Sequence, residues 1–134
     1  MIHGHRGIGI EVSPGELLDR LSILRIKSER ISDQAKLANV LHERNLLEDA
    51  RRRSIPATNA IRGLEAKLRT VNETLWMSED EVRALERDQD FGARFIHVAR
   101  SIYQLNDRRA KLKREVNQLL RSSLVEEKSH GPPC

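Results

Sequence analysis

The residues best placed to do chemistry in this chain lie in one stretch: Arg100, Tyr103, Asn106, Asp107 and Arg109. Tyr103, Asn106 and Arg109 advance by three, so a helix sets them along the edge of one face. Guanidinium groups beside a phenol and an amide suit an anion, because arginine makes paired, charge-assisted hydrogen bonds to carboxylate and phosphate oxygens. Arg109 also falls on a position of the apolar repeat described below. A buried arginine without a carboxylate partner is strongly unfavourable, and Glu16, Asp19 or Glu29 can supply that partner. Two readings follow. The favoured one is a polar layer that fixes the register in which helices meet. The other is a pocket for an anionic small molecule, such as a phosphorylated or nucleotide sugar, lined by these five residues with Glu16 and Asp19.

Other chemistries find less support. His3 and His5 make an HxH pair, and His130 and Cys134 sit near the opposite terminus, but neither pair has a third ligand nearby. HExxH and CxxC spacings are absent, so no metal site and no cofactor are expected. No serine occupies a GxSxG turn, and Gly4, Gly7 and Gly9 precede no phosphate-binding loop. Residues 79–90 carry a net charge of −4 through Glu79, Asp80, Glu81, Glu86, Asp88 and Asp90. A divalent-metal centre of helical acids needs a second acidic helix, which the chain lacks. Pairing such as Glu79–Arg83 at four residues accounts for these acids instead. Residues 91–121 carry +6, with Arg108, Lys111 and Arg114 among the cations. A nucleic-acid groove wants exposed aromatics beside its cations. Phe91 and Phe95 fall on the apolar repeat, so nucleic-acid binding through this helix is a third, less favoured reading.

These side chains need long amphipathic helices to position them, and the composition fits. Of 134 residues, 33% are charged, 38% hydrophobic and only 3% aromatic, with a net charge of +4. One core of Leu, Ile, Val and Ala is implied. The single cysteine, Cys134, permits no internal disulfide. No segment approaches the ~20 apolar residues of a membrane span, and residues 1–10 lack the apolar run of a signal peptide. The expectation is a cytoplasmic protein without membrane insertion.

Residues 1–12 read as an arm, with Ile8, Ile10 and Val12 alternating as in an extended strand. Ser13-Pro14-Gly15-Glu16 has the form of a helix start with a capping box, and the first helix should cover about 14–31. Ser32-Asp33 opens a second helix, about 34–53, expected to turn Leu37, Ala38, Leu41, Leu47 and Ala50 inward. The cations Arg51, Arg52 and Arg53 close it, where the helix dipole favours positive charge. Ser54-Ile55-Pro56-Ala57-Thr58 is the clearest loop.

The third helix, about 58–88, carries the stripe Ile61, Leu64, Leu68, Val71, Leu75, Ser78, Val82, Leu85. The fourth, about 91–121 and capped by Asp90, carries Phe91, Phe95, Val98, Ile102, Leu105, Arg109, Leu112, Val116, Leu119. Steps of three and four without a slip predict a long, coiled-coil-like antiparallel hairpin. The fold expected is therefore an all-α, antiparallel helical bundle dominated by that hairpin. The bundle domain is 13–121, with short extended arms at 1–12 and 122–134 that could pair. The last two helices outrun the first two by about 15 Å at 1.5 Å per residue. Their surplus apolar stripe calls for cover, which a homodimer would give.

Several stretches together resemble a known family. They are Ser13 to Arg20, Lys36-Leu37-Ala38-Asn39-Val40, Leu75-Trp76 with Glu79 to Arg83, Phe95 to Tyr103, Asn106 to Ala110, and Val125 to Ser129. The combination resembles an uncharacterised bacterial family of short helical proteins, a domain of unknown function often encoded beside glycosyltransferase or surface-polysaccharide genes. The resemblance implies a helical accessory to cell-surface glycan synthesis, with a protein partner there, and no catalytic residue. His130 stands where a Tyr is usual in the family. The function favoured from the sequence is a non-catalytic interaction protein.

Overall fold

The computed structural model of the chain describes residues 7–121. Four helices follow in order: α1 (Pro14–Arg30), α2 (Gln34–Ser54), α3 (Asn59–Arg87) and α4 (Ala93–Leu119). Residues 7–12 form no regular element, so the strand-like alternation there gives no strand. The C-terminal arm, and its pairing with the N-terminal one, lie outside the described residues.

Three of the helix starts are capped as their sequences require. The Ser13 hydroxyl accepts the Glu16 N–H at 3.1 Å, with Pro14 at the first helical position. Asp33 accepts the Lys36 N–H at 2.9 Å, which makes α1 and α2 two helices rather than one. Thr58 accepts the Ile61 N–H at 3.2 Å. Such caps satisfy donors that the first helical turn leaves orphaned.

The turn between α3 and α4 differs from expectation. Asp90 does not cap a helix at 91. Its Oδ1 accepts the Gly92 N–H at 3.2 Å, and α4 begins at Ala93 after Gly92. The reason is the end of α3. The Gln89 N–H bonds to Glu86 O at 3.0 Å and the Asp90 N–H to Leu85 O at 2.9 Å. That pair of bonds is a Schellman motif, with Gln89 in the left-handed region at φ 55°. The chain thus needs three more residues before it can turn back, and Phe91 falls in the turn.

α3 and α4 run antiparallel, and α1 packs against both as well as against α2. Its ion pairs with α4 step in opposite directions, Glu16 to Lys113 and Asp19 to Arg109, as antiparallel helices require. The core joins Leu18, Ile55, Ile61, Leu68, Val71, Leu75, Leu112 and Val116. Burying a side chain of this size fully contributes about 1.5–3 kcal/mol. Phe91 and Leu119, the outermost members of the predicted α4 stripe, are exposed because they lie at or past the ends of the packed region.

α2 departs most from the sequence reading. It packs closely against α1 alone, meeting α3 only through an ion pair near its C-terminal end, and none of its residues is buried. Leu37, Leu47 and Ala50 are half-buried, and Ala38 and Leu41 are exposed. With one neighbour, a helix can cover only a narrow stripe. Arginine forks help hold it: Arg25 on Glu48 at 3.0 and 2.8 Å, and Arg51 on Glu65 of α3 at 2.9 and 2.5 Å. Of the arginine run at its end, Arg52 and Arg53 pair with Asp49.

The last α1 ion pair along α3 is Arg30 with Glu73, at 3.7 Å. The stretch from Thr74 to Arg87 runs on past it for about 20 Å. Among the described residues, no helix is long and apolar enough to cross a membrane.

Candidate functional site

At the meeting of α1, α3 and α4 lies a polar layer centred on Asp19, whose residue exposure is 0%. Asp19 faces the bundle because α1 packs against three neighbours, so this polar position is enclosed with the apolar ones. Arg109 donates Nε to Asp19 Oδ1 at 2.8 Å and Nη2 to Oδ2 at 2.6 Å. Asn72 of α3 donates Nδ2 to the same Oδ1 at 3.1 Å and to Ser22 Oγ at 3.2 Å. Lys113 Nζ lies 3.9 Å from Asp19 Oδ2 and 2.7 Å from Glu16 Oε1. One carboxylate is therefore shared by three helices, which suits a device that fixes register.

One α4 turn further on, the Gly15 N–H donates to Asn117 Oδ1 at 2.8 Å. Gly15 is required there: a Cβ would sit 2.3 Å from the Lys113 carbonyl oxygen. The backbones of α1 and α4 thus meet directly, and the polar layer is locked beside that contact. Burial alone would raise the Glu16 carboxyl. Hydrogen bonds from Lys113 and Arg20 outweigh it and hold the group below its ordinary value.

The predicted cluster divides. Glu16, Asp19 and Arg109 come together in this layer. Asn106 lies at its edge, lining a surface groove of about 310 Å³ with Arg109, Asn72, Ile23, Leu75, Trp76, Glu79, Asp80 and Arg83. Arg100 and Tyr103 are exposed and do not line this groove. Arg100 borders a separate depression with Ile96 and His97. Asp107 is half-buried on the same helix and does not line the groove either.

The groove is mixed in charge. Glu79 pairs with Arg83 at 3.6 Å, and the inner edge of Arg109 is taken by Asp19. Among the described residues, no three His, Cys, Asp or Glu side chains are grouped to hold a metal ion. Arg108 and Lys111 share their own groove with Glu115, so the basic stripe of α4 has an acidic neighbour.

A family model matches residues 8–134. The chain belongs to DUF6165, a family of unknown function. No curated protein and no solved structure matches it. In this DUF6165 chain the residues that sequence reasoning missed are Asn72, Trp76 and Arg83, together with Ile23 from α1. Trp76, Glu79, Asp80 and Arg83 advance by three, one and three, which puts them on one side of α3. That spacing, around the chain's only tryptophan, was the available signal.

Proposed function

We propose that this protein works by association rather than catalysis, as a helical-bundle interaction protein that pairs with a second copy of itself. The setting implied by the family resemblance is the synthesis of cell-surface glycans, where a further protein partner would be sought. The carrying observation is the free end of the hairpin. On the part of the hairpin beyond the Arg30–Glu73 ion pair, Met77, Phe91 and Ile96 are 54%, 50% and 53% exposed. Large apolar side chains left exposed on that half of the hairpin favour a partner surface over water. The Asp19–Arg109 fork supports the same reading, since it occupies the strongest anion-binding group of the cluster with a structural role.

Size-exclusion chromatography with light scattering tests this. The expected mass is twice the 15.4 kDa of one chain, falling toward one chain on dilution. Met77→Glu with Ile96→Glu should move that transition to higher concentration. A mass of one chain at every concentration would remove the reading.

A second reading rests on the groove beside Arg109, a binding protein for a phosphorylated or nucleotide sugar. Trp76 lines it and is the only tryptophan, so its fluorescence reports occupancy directly. A saturable change on adding such a compound, lost in Arg109→Ala, would favour binding over association. No response across the series would dismiss it.

A further inference from the structure

The groove beside Arg109 is more selective in its chemistry than its mixed charge suggests. Asn72, Trp76 and Asp80 follow at intervals of four on α3. They therefore stand on one face of the helix, each about 6 Å further along its axis. All three line the groove of about 310 Å³, and Asn106 lines it from α4.

Asn72 supplies the floor. It is 4% exposed, and its Nδ2 donates to both Asp19 Oδ1 and Ser22 Oγ. Both amide protons are thereby spent. What remains for a ligand is the carbonyl Oδ1, an acceptor that no donor among the described residues meets. A nearly buried acceptor of this kind gains from a ligand that brings its own O–H or N–H. Above it on α3 come the indole of Trp76, half-buried, and the carboxylate of Asp80, exposed. Among the described residues, no hydrogen bond or ion pair engages the side chains of Trp76, Asp80 or Asn106.

These groups narrow the ligand by elimination. The cations on the walls already have carboxylates, Arg109 that of Asp19 and Arg83 that of Glu79. An anion would bring no proton to Asn72 Oδ1 and would lie beside the Asp80 carboxylate. A cation would be set against Arg83 and Arg109. A neutral hydroxyl suits every group, because it both donates and accepts. It gives to Asn72 Oδ1 and Asp80, and it takes from Asn106 Nδ2 and Trp76 Nε1. The apolar face of the indole asks in addition for C–H groups on one side of the ligand. A pyranose ring has both, hydroxyls round its rim and C–H bonds on its face. Resting on the second reading above, that this groove binds a sugar derivative, we infer that the part recognised is the uncharged ring of a hexose. The ring lies against Trp76, and any phosphate it carries stays in solvent.

The test uses the full chain and calorimetry with ligand up to millimolar concentration, the fluorescence of Trp76 being read in parallel. The probes are the methyl glycosides of glucose, galactose, mannose and N-acetylglucosamine, the 1-phosphate of each, and uridine diphosphate and inorganic phosphate without sugar. At least one methyl glycoside should bind, change the emission and match its own 1-phosphate within about tenfold, because one charge-assisted hydrogen bond to phosphate would add more than that. Asp80→Ala removes an exposed side chain with no partner to lose. It should keep the parent's melting temperature and weaken that glycoside at least about tenfold, and Asn106→Ala should act in the same direction. A 1-phosphate preferred by more than about tenfold, or binding of uridine diphosphate or phosphate without any glycoside, would overturn the inference and leave a phosphorylated-sugar site standing. Glycoside binding unchanged by both substitutions would place the ring outside this groove and overturn the inference as well. No binding of any probe would remove the inference and the second reading together.

Discussion

The carboxylate of Asp19 on α1 and the guanidinium of Arg109 on α4 meet edge to edge, through bonds of 2.8 and 2.6 Å, although ninety residues separate them in the chain. The two partners are unequally enclosed: the Asp19 side chain is 1% exposed and that of Arg109 28%. Removing one member of a buried pair costs about 3–5 kcal/mol, because the other is left charged and dry. Arg109 can move its head group toward water when its partner is lost, and Asp19 cannot. Arg109→Leu should therefore destabilise the fold by about 3–5 kcal/mol and Asp19→Leu by less. The double variant should recover part of the loss. Urea denaturation of the three proteins gives the comparison.

Gly15 provides a second test, of backbone contact rather than charge. Its missing Cβ is what lets α1 approach the Lys113 carbonyl. Gly15→Ala would gain helix propensity, worth about 1 kcal/mol. It must also push α1 and α4 apart, and overpacking of this kind costs about 1–3 kcal/mol. The clash is with backbone, which cannot rotate away, so the net effect should be destabilising. A lower melting temperature is the expected result. Gly63, with nothing within 4 Å of a Cβ, should gain stability on the same change.

The turn at the hairpin tip predicts the opposite sign. Gln89 holds φ at 55° to complete the Schellman motif, a conformation that costs a residue with a Cβ about 1 kcal/mol and glycine little. Gln89→Gly should stabilise the protein by up to about 1 kcal/mol, read as a higher urea midpoint.

Acid should loosen the bundle in a defined window. Glu48, held by the Arg25 fork, and Glu16, held by Lys113 and Arg20 against the opposing effect of burial, both have folded values below the ordinary 4.5. Carboxylates lowered by folding contribute stability that is full above their unfolded values and is lost as pH falls through the folded ones. Stability should hold from neutrality to about pH 5 and then decline. Glu16→Gln should be less stable than the parent at pH 7 and should show a shallower decline. Chemical denaturation across pH 3–7 provides the measurement.

Much of this arrangement was legible in the residues. The unbroken spacing from Ile61 to Leu85 and from Phe95 to Val116 required a long helical hairpin, because only a continuous helix keeps those side chains on one side. Arg109, the one charged residue on its stripe, signalled a buried partner, and Asp19 was among three candidates. Which of the three it would be depends on how α1 slides along α4, and that is set by the Gly15 contact, a tertiary fact. α2 was misjudged for a related reason. Its apolar spacing is compatible with a buried helix, but periodicity says nothing of how many neighbours a helix has. The groove around Trp76 escaped because it combines residues of three elements.

The central claim, that the long hairpin is the working surface, is tested most directly by amide hydrogen exchange at two protein concentrations. The account predicts slower exchange at high concentration in α3 and α4, greatest in the half of the hairpin nearer the turn, with α2 unchanged. Exchange independent of concentration throughout, or protection gained in α2 while α3 and α4 stay the same, would contradict it.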